Sequence, residues 1–412
     1  MIGGKVIGEG VDGCVLANSM WPCESGSHGV PDAKSTHYVS KVVSVNDEES
    51  ENLKMAARLL GHGLSSKYLA GIHGECKPAN SFKPPSSKDK GVLEDVLHDM
   101  KARPKTGQAC DVIQRKINKK IPLYKSSKVM FISKYDNTVS GWANVISNEK
   151  QSFVAVNVKV ENAIPTFLEV LQKLYQNDSE QLIHIDLHTG NIFVRYAPLE
   201  FGIADFGRCV FRRNGEDPSE TFYGKFLLEY ITRYQMYCQY SQTPLEVRLL
   251  NYCYKKKYDN LEPDILVKGW ATDPEVMTNE NGFSDFIAFN RYSMITHLLT
   301  RILFISMVET IQAICKKIRL HEKNAKLLYN NMTDKERKVV EFILTRYSII
   351  APINTILQEL ILVYDKKHVL GSKLARFLEK AMLMPYDQEG SSLVPVLTTA
   401  QGSDLRVLWS IC

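Results

Sequence analysis

The stretch Ile183-His184-Ile185-Asp186-Leu187-His188-Thr189-Gly190-Asn191-Ile192-Phe193-Val194 is followed, after a short connector, by Ile203-Ala204-Asp205-Phe206-Gly207. Two aspartates, Asp186 and Asp205, stand near the mouths of two apolar runs, and Asn191 comes five residues after the first. Ile192-Phe193-Val194 and Ile203-Ala204 read as short buried strands, with Pro198 and Gly202 marking the turn between them. This arrangement is expected to direct both carboxylates and the amide toward one cleft. Two acids and an amide suit a site for Mg·ATP, because Mg²⁺ takes one or two hard oxygen ligands from side chains and the rest from phosphates and water. A carboxylate not used on the metal is free to accept the proton of an attacking hydroxyl.

Toward the N-terminus, Gly8-Glu9-Gly10-Val11-Asp12-Gly13-Cys14-Val15 fits G-x-G-x-x-G-x-V in full. Apolar Val6 and Ile7 precede it and Leu16 follows, which predicts strand, tight glycine turn, strand. Glycines let backbone N–H groups approach a phosphate with no Cβ in the way. A dinucleotide-binding reading needs a helix straight after the glycines, and Gly10 to Leu16 has no run of helix formers. The next predicted strand, Tyr38 to Val43, carries Lys41 inside an apolar run, where a lysine needs a partner or an edge position facing solvent. A helix follows, with Asn46 or Asp47 as N-cap, Glu48, Glu49 and Glu51 in its early turns, and Leu53, Ala56 and Leu60 as its apolar stripe. Glu49 falls on that stripe and Glu51 faces away. Glu49 is therefore the preferred partner of Lys41, with Glu51 the alternative.

Together these segments resemble the protein kinase family. His184, Asp186, Leu187 and Asn191 match the catalytic loop H-R-D-L-x-x-x-N, and Asp205-Phe206-Gly207 matches D-F-G. The histidine after Asp-Leu is similar to the divergent serine/threonine kinases of large DNA viruses. The resemblance implies an α+β, bilobal protein-kinase-like fold. Residues 1–135 would form an N-lobe of antiparallel sheet with one helix, and residues 136–412 a mainly helical C-lobe that diverges after about residue 310. It implies ATP and Mg as cofactors. Asp186 would be the base, Lys41 and His188 would contact phosphate, and Asn191 and Asp205 would hold the metal. Nucleotide would lie against Ile7, Gly8, Glu9, Gly10, Val11, Asp12, Gly13, Cys14, Val15, Lys41 and Glu49, and against Ser133 and Tyr135 where kinases link their lobes. The implied activity is transfer of the γ-phosphate to serine or threonine hydroxyls of protein substrates. A catalytically silent scaffold of the same fold and a small-molecule phosphotransferase are the alternatives.

Departures from the family pattern are specific. Ile185 stands where many kinases carry an arginine that pairs with an activation-loop phosphate. His188 replaces a common lysine, and no A-P-E follows Gly207. Asn290-Arg291-Tyr292-Ser293 resembles the D-x-W/Y-S start of the long C-lobe helix, with Asn for Asp. Further on, Thr333 with Glu336 predicts a capped helix start, and Pro352 should break or kink the helical run that follows.

Between these landmarks, Tyr68 to Glu75 reads as a strand and residues 77–128 as a polar insertion, loop-like at its start with a short helix over Leu93 to Met100. The insertion carries thirteen Lys/Arg against five Asp/Glu, a local +8 within a chain of net +5. It is either a solvated insertion without a ligand or a contact for a polyanion or acidic partner. Val129 to Ile132 reads as a buried strand, Trp142 opens a helical region, and Asn162 to Gln176 is an amphipathic helix with Pro165 near its start. The apolar segment from Met294 to Ile311 contains His297, Arg301 and Glu309, so it reads as a core helix and no membrane contact is expected. Over 412 residues, 44% hydrophobic content fits a folded protein of two lobes or domains. Nine cysteines with no C-x-x-C pair and no leader-like start predict reduced thiols in a cytosolic or nuclear setting, and a cytoplasmic location is expected, the host cytoplasm or a virion if viral. Composition says nothing of the oligomeric state.

Overall fold

A computed structural model describes residues 5–9, 13–17, 23, 37–46, 48–78, 116, 119–177, 179–217, 222–233, 245–258, 260–263, 265–266 and 302–365. They form an α+β structure with small antiparallel sheets. The chain divides into two units, Met1–Asn144 with Phe193–Gly207, and Val145–Ile192 with Arg208–Cys412. The first unit thus extends past residue 135 and takes in the segment that carries Asp205.

In the first unit, β1 (Lys5–Glu9), β2 (Gly13–Ala17), β3 (Tyr38–Ser44), β5 (Ser127–Ser133) and β4 (Ile72–Cys76) pair antiparallel in that spatial order. Alternation along the strands builds two apolar faces. Leu16, Val42, Val129 and Phe131 pack on one, and Val39, Val43, Met130 and Ile132 on the other. β3 is the middle strand, so Lys41 is not at an edge, and by parity it shares its face with Val39 and Val43.

Helix α1 (Glu49–Tyr68) buries Leu53, Ala56 and Leu60, each leucine contributing about 2 kcal/mol. Its N-cap is Glu48, without a side-chain cap bond, in place of the expected Asn46 or Asp47. It also runs through Tyr68, which was expected in a strand; Gly61, at φ 73° and ψ 166°, is a non-helical kink at which two helical segments meet. In a second sheet, β6 (Asn137–Thr138), β8 (Ile192–Tyr196) and β9 (Leu199–Ile203), the turn falls at Ala197-Pro198, and Gly202, expected to mark it with Pro198, lies within β9. Gly202 is required there, because a Cβ would lie 2.4 Å from the Tyr135 hydroxyl oxygen.

Cys23 and Cys76 form a disulfide, and Cys14 is disulfide-bonded as well. This corrects the all-thiol reading. Cys23 bridges backbone to backbone with Pro78, which brings Cys23 within a bondable 5.6 Å of Cys76 between Cα atoms. The 53-residue separation conceals that proximity in the sequence.

In the second unit, α3 (Phe153–Tyr175) is preceded in the chain by α2 (Val139–Glu149) and buries Val156, Val160, Ile164, Phe167, Val170, Leu171 and Leu174. It begins at Phe153, so Pro165 sits inside the helix and not near its start. The extent of that apolar face outweighs one lost backbone bond. β7 (Gln181–His184) pairs antiparallel with β10 (Cys209–Arg212). Helix α4 (Leu245–Lys256) lies against α5 (Ile302–Leu320), whose Arg319 donates to the carbonyls of Cys253 and Tyr254. After the short α6 (Ala325–Asn330), α7 (Asp334–Thr345) opens on the expected capping box. Thr333 N–H donates to Glu336 at 2.6 Å and Glu336 N–H to the Thr333 hydroxyl at 3.3 Å. A π-helical turn, Arg346–Ile350, joins α7 to α8 (Ala351–Asp365). Pro352 has no N–H to return to the carbonyl four residues back, and the helix changes its winding immediately before it.

Among the described residues no helix is long and apolar enough to cross a membrane. The expected helix over Leu93 to Met100, the segment Asn290 to Ser293 and most of the basic insertion (79–115) lie outside the described residues.

Candidate functional site

In the first unit, Lys41 stands between two carboxylates. Its Nζ lies 2.6 Å from Glu49 Oε2 and 2.8 Å from Asp205 Oδ1. Glu49 is only 3% exposed, which a carboxylate tolerates when a cation and hydrogen bonds compensate. Glu51, the alternative partner, pairs instead with Lys54 on the surface. Burial works against the lysine's charge, but the carboxylates of Glu49 and Asp205 outweigh it and hold the ammonium well above the ordinary lysine range. Val15, on the return strand of the glycine hairpin, is the register neighbour of Lys41. Ile7, Gly8 and Glu9 lie on β1, and Gly13, Cys14 and Val15 on β2; Gly10, Val11 and Asp12 lie outside the described residues.

The backbone on both sides of Asp205 is fixed. Before it, Ile203 bridges Leu69, and Ala70 N–H donates to the Ile203 carbonyl at 3.0 Å. After it, Asn52 Nδ2 donates to the Phe206 carbonyl at 2.8 Å, and Phe206 is fully buried. Asp205 itself is at φ 61°, a left-handed conformation that costs of order 1 kcal/mol and persists where the surroundings over-determine it. Its side chain stays 44% exposed. Asn52 is a site residue that the sequence reading passed over; its signal is a polar side chain three residues after Glu49, on the same helix face.

Of the linker residues, Ser133 N–H is taken by the Gly71 carbonyl at 2.9 Å and Lys134 N–H by His37 at 2.9 Å. This removes Ser133 N–H from the groups expected to meet adenine. The Tyr135 side chain has a structural role: its hydroxyl donates to the Lys67 carbonyl at 3.1 Å, and the Arg195 guanidinium stacks 4.3 Å from its ring. Its backbone N–H has no partner among the described residues. The Ser133 hydroxyl lies 2.9 Å from His73 Nε2, and burial pulls the pKa of that imidazole down.

In the second unit, Asp186, His188 and Asn191 come together on the loop after β7. Asn191 Nδ2 donates to the Asp186 carbonyl at 2.7 Å, and His188 N–H donates to the same oxygen at 3.1 Å. A carbonyl acceptor fixes which end of the amide is nitrogen, leaving Asn191 Oδ1 as the oxygen it can offer. His188 Nδ1 accepts from Gly190 N–H at 3.0 Å, so the proton of the neutral ring is on Nε2, which lies 3.9 Å from Asp186 Oδ1. The Asp186 side chain is 13% exposed. Ile185, in place of the arginine, is buried. Its N–H donates to the Arg208 carbonyl at 3.1 Å and its carbonyl accepts from the Tyr347 hydroxyl at 2.7 Å. Tyr347 was also missed. Its only signal is that Arg346-Tyr347-Ser348 repeats the letters of Arg291-Tyr292-Ser293.

The first unit therefore assembles Lys41, Glu49 and Asp205 beside the glycine hairpin, and the second assembles Asp186, His188 and Asn191. Among the described residues no three His, Cys, Asp or Glu side chains gather as a metal cage. Taken separately, each unit offers one oxygen of the hard kind that Mg²⁺ takes from side chains: the 44% exposed Asp205 carboxylate on its fixed backbone in the first, and the Asn191 amide oxygen, selected by its own hydrogen bond, in the second. No protein-family model matches the chain, and no curated protein is similar to it.

Proposed function

We propose that the chain is a Mg·ATP-dependent protein kinase that phosphorylates serine or threonine hydroxyls and folds as a bilobal kinase-like α+β protein. One observation carries the reading. A partly exposed lysine on the middle strand, register neighbour of a glycine-hairpin residue, is ion-paired to both a buried helix glutamate and the aspartate of Asp205-Phe206-Gly207. A structural role alone does not require two carboxylates on one lysine, one of them on a left-handed backbone.

In this reading Glu49 holds Lys41 charged and aimed for the α- and β-phosphates, with the glycine hairpin beside it. Asp205 and Asn191 Oδ1 would hold Mg²⁺, which when bound neutralises charge on the phosphates. Asp186 orients the acceptor hydroxyl and takes its proton as the oxygen attacks the γ-phosphorus and the bond to the β-phosphate oxygen breaks, releasing ADP. His188, whose Nδ1 accepts from Gly190 N–H and leaves the ring proton on Nε2, would donate to a phosphate oxygen. The Tyr135 N–H supplies a backbone donor for the adenine edge. Catalysis rests on positioning and charge, since little covalent work falls to the protein.

The test is γ-labelled ATP with casein, myelin basic protein and a panel of aminoglycosides. Label on serine or threonine of the proteins supports the reading. Label on aminoglycosides alone would make this a small-molecule phosphotransferase, and Mg·ATP binding without transfer would make it a silent scaffold.

A further inference from the structure

Several bonds of the Asp186 loop are local. His184, His188 and Asn191, which bond its backbone, all lie within five residues of Asp186. Tyr347 is different: its hydroxyl reaches the loop across 162 residues of sequence. We infer that Tyr347 is the positioning residue that fixes the peptide plane preceding Asp186, and so the direction of the Asp186 carboxylate. The inference rests on the phosphotransfer reading above.

The geometry is specific to one peptide. The oxygen of the Ile185–Asp186 peptide accepts from the Tyr347 hydroxyl at 2.7 Å, and the N–H of the same peptide donates to His184 Nδ1 at 3.3 Å. Both ends of the plane are thus held, which sets the backbone torsion on which the Asp186 side chain is mounted. The residue before is also tied, through Ile185 N–H to Arg208. Ile185 is 3% exposed and Tyr347 8%, so water does not replace the hydroxyl if it is removed, and a buried carbonyl loses its donor.

The tyrosine is itself mounted firmly. It sits in the π-helical turn Arg346–Ile350, a winding that is rare and concentrates at functional positions. Its ring packs against the fully buried Phe226, with ring centres 5.8 Å apart. The π turn also packs on α3, which leads into the loop through β7. Tyr347 therefore links the helical body of the second unit to the loop, whereas the local bonds only shape the loop.

The experiment compares wild type with Tyr347→Phe, which removes one oxygen and keeps the ring. Because misplacement by about 1 Å costs on the order of 10²-fold in rate, kcat should fall about 10- to 100-fold. The KM and Kd for ATP should stay within about twofold, since Lys41, Glu49 and Asp205 are untouched. Hydrogen exchange of the amides at 185–188 should speed up, with β7 unchanged. Ile349→Val, in the same turn and also buried, is the packing control and should leave kcat alone.

An unchanged kcat in folded Tyr347→Phe overturns the inference, as does an equal loss of kcat in Ile349→Val. If wild type transfers no phosphate, the kinase reading fails separately, and the inference is then decided by exchange alone: no acceleration at 185–188 overturns it. If the variant does not fold, wild-type amides at 185–188 must be as protected as those of β7, and exchange at the rate of an open loop overturns the inference.

Discussion

Replacing Lys41 with methionine keeps much of the side-chain volume and removes the charge. Glu49 is then left 3% exposed with no cation at 2.6 Å. Removing one partner of a buried ion pair costs about 3–5 kcal/mol, chiefly for the charge left behind. The Asp205 arm adds little, because that carboxylate is 44% exposed and solvent screens it, so its share is below about 1 kcal/mol. Lys41→Met should therefore lose about 3–5 kcal/mol in urea unfolding followed by intrinsic fluorescence. Lys41→Met/Glu49→Gln, with the stranded charge gone, should recover at least about 1 kcal/mol of that loss. The wild-type pH profile has a defined sign. The lysine is held above its ordinary range in the fold, so its contribution is complete below the unfolded value of about 10.4 and declines only as pH rises through the folded value. Stability from neutral pH to about pH 10 should show no loss from this group. Lys41→Met that unfolds with wild-type stability, or a double variant that loses the sum of the two singles, would refute the view that Lys41 compensates a buried Glu49.

Reduction of Cys23–Cys76, or Cys23→Ser, frees a 53-residue loop and should lower stability by up to about 4 kcal/mol in the chain-entropy treatment; thermal unfolding with and without dithiothreitol measures it, and an unchanged midpoint contradicts the bond. Burial lowers the pKa of His73, so its neutral form stabilises the fold above the unfolded value of about 6.5, and the stabilisation is lost as pH falls through the folded value. His73→Asn should accordingly flatten the fall of the thermal midpoint below about pH 6.5, and an identical profile refutes this. In the basic stretch, Lys119, Lys120 and Lys125 are exposed beside β5; replacing all three with alanine should lower the salt needed to elute the protein from heparin, and unchanged elution removes this cluster as the polyanion contact.

The glycine hairpin, the lysine strand, the helix glutamate and the β8–β9 turn were legible because each is a local pattern: turn glycines, period-two apolar runs and a 3.6-residue stripe. Glu49 could be chosen over Glu51 by helix angle alone, and the Thr333–Glu336 capping box by spacing. Helix limits were less legible. Glu48 precedes α1 without the usual cap bond, and α3 absorbs Pro165 because an extended apolar face outweighs one missing backbone bond. What the sequence could not disclose was contact across long separations. Cys23 meets Cys76, Asn52 meets Phe206, and Tyr347 meets Ile185 only once the chain is folded. Ser133 was misjudged for the same reason, since its N–H goes to the carbonyl of Gly71, the residue before β4.

The most direct test of phosphoryl transfer compares wild type with Asp186→Asn, measuring label transferred from γ-labelled ATP to protein hydroxyls and Mg·ATP affinity by calorimetry on the same preparations. The substitution keeps shape and hydrogen bonding but cannot take a proton. Transfer should fall by about 10²- to 10⁴-fold while Mg·ATP affinity holds within about twofold, because the proposed function assigns the phosphate contacts to Lys41 and the glycine hairpin and not to Asp186. A wild type that binds Mg·ATP yet labels no hydroxyl, or an Asp186→Asn variant that transfers at the wild-type rate, would contradict the account.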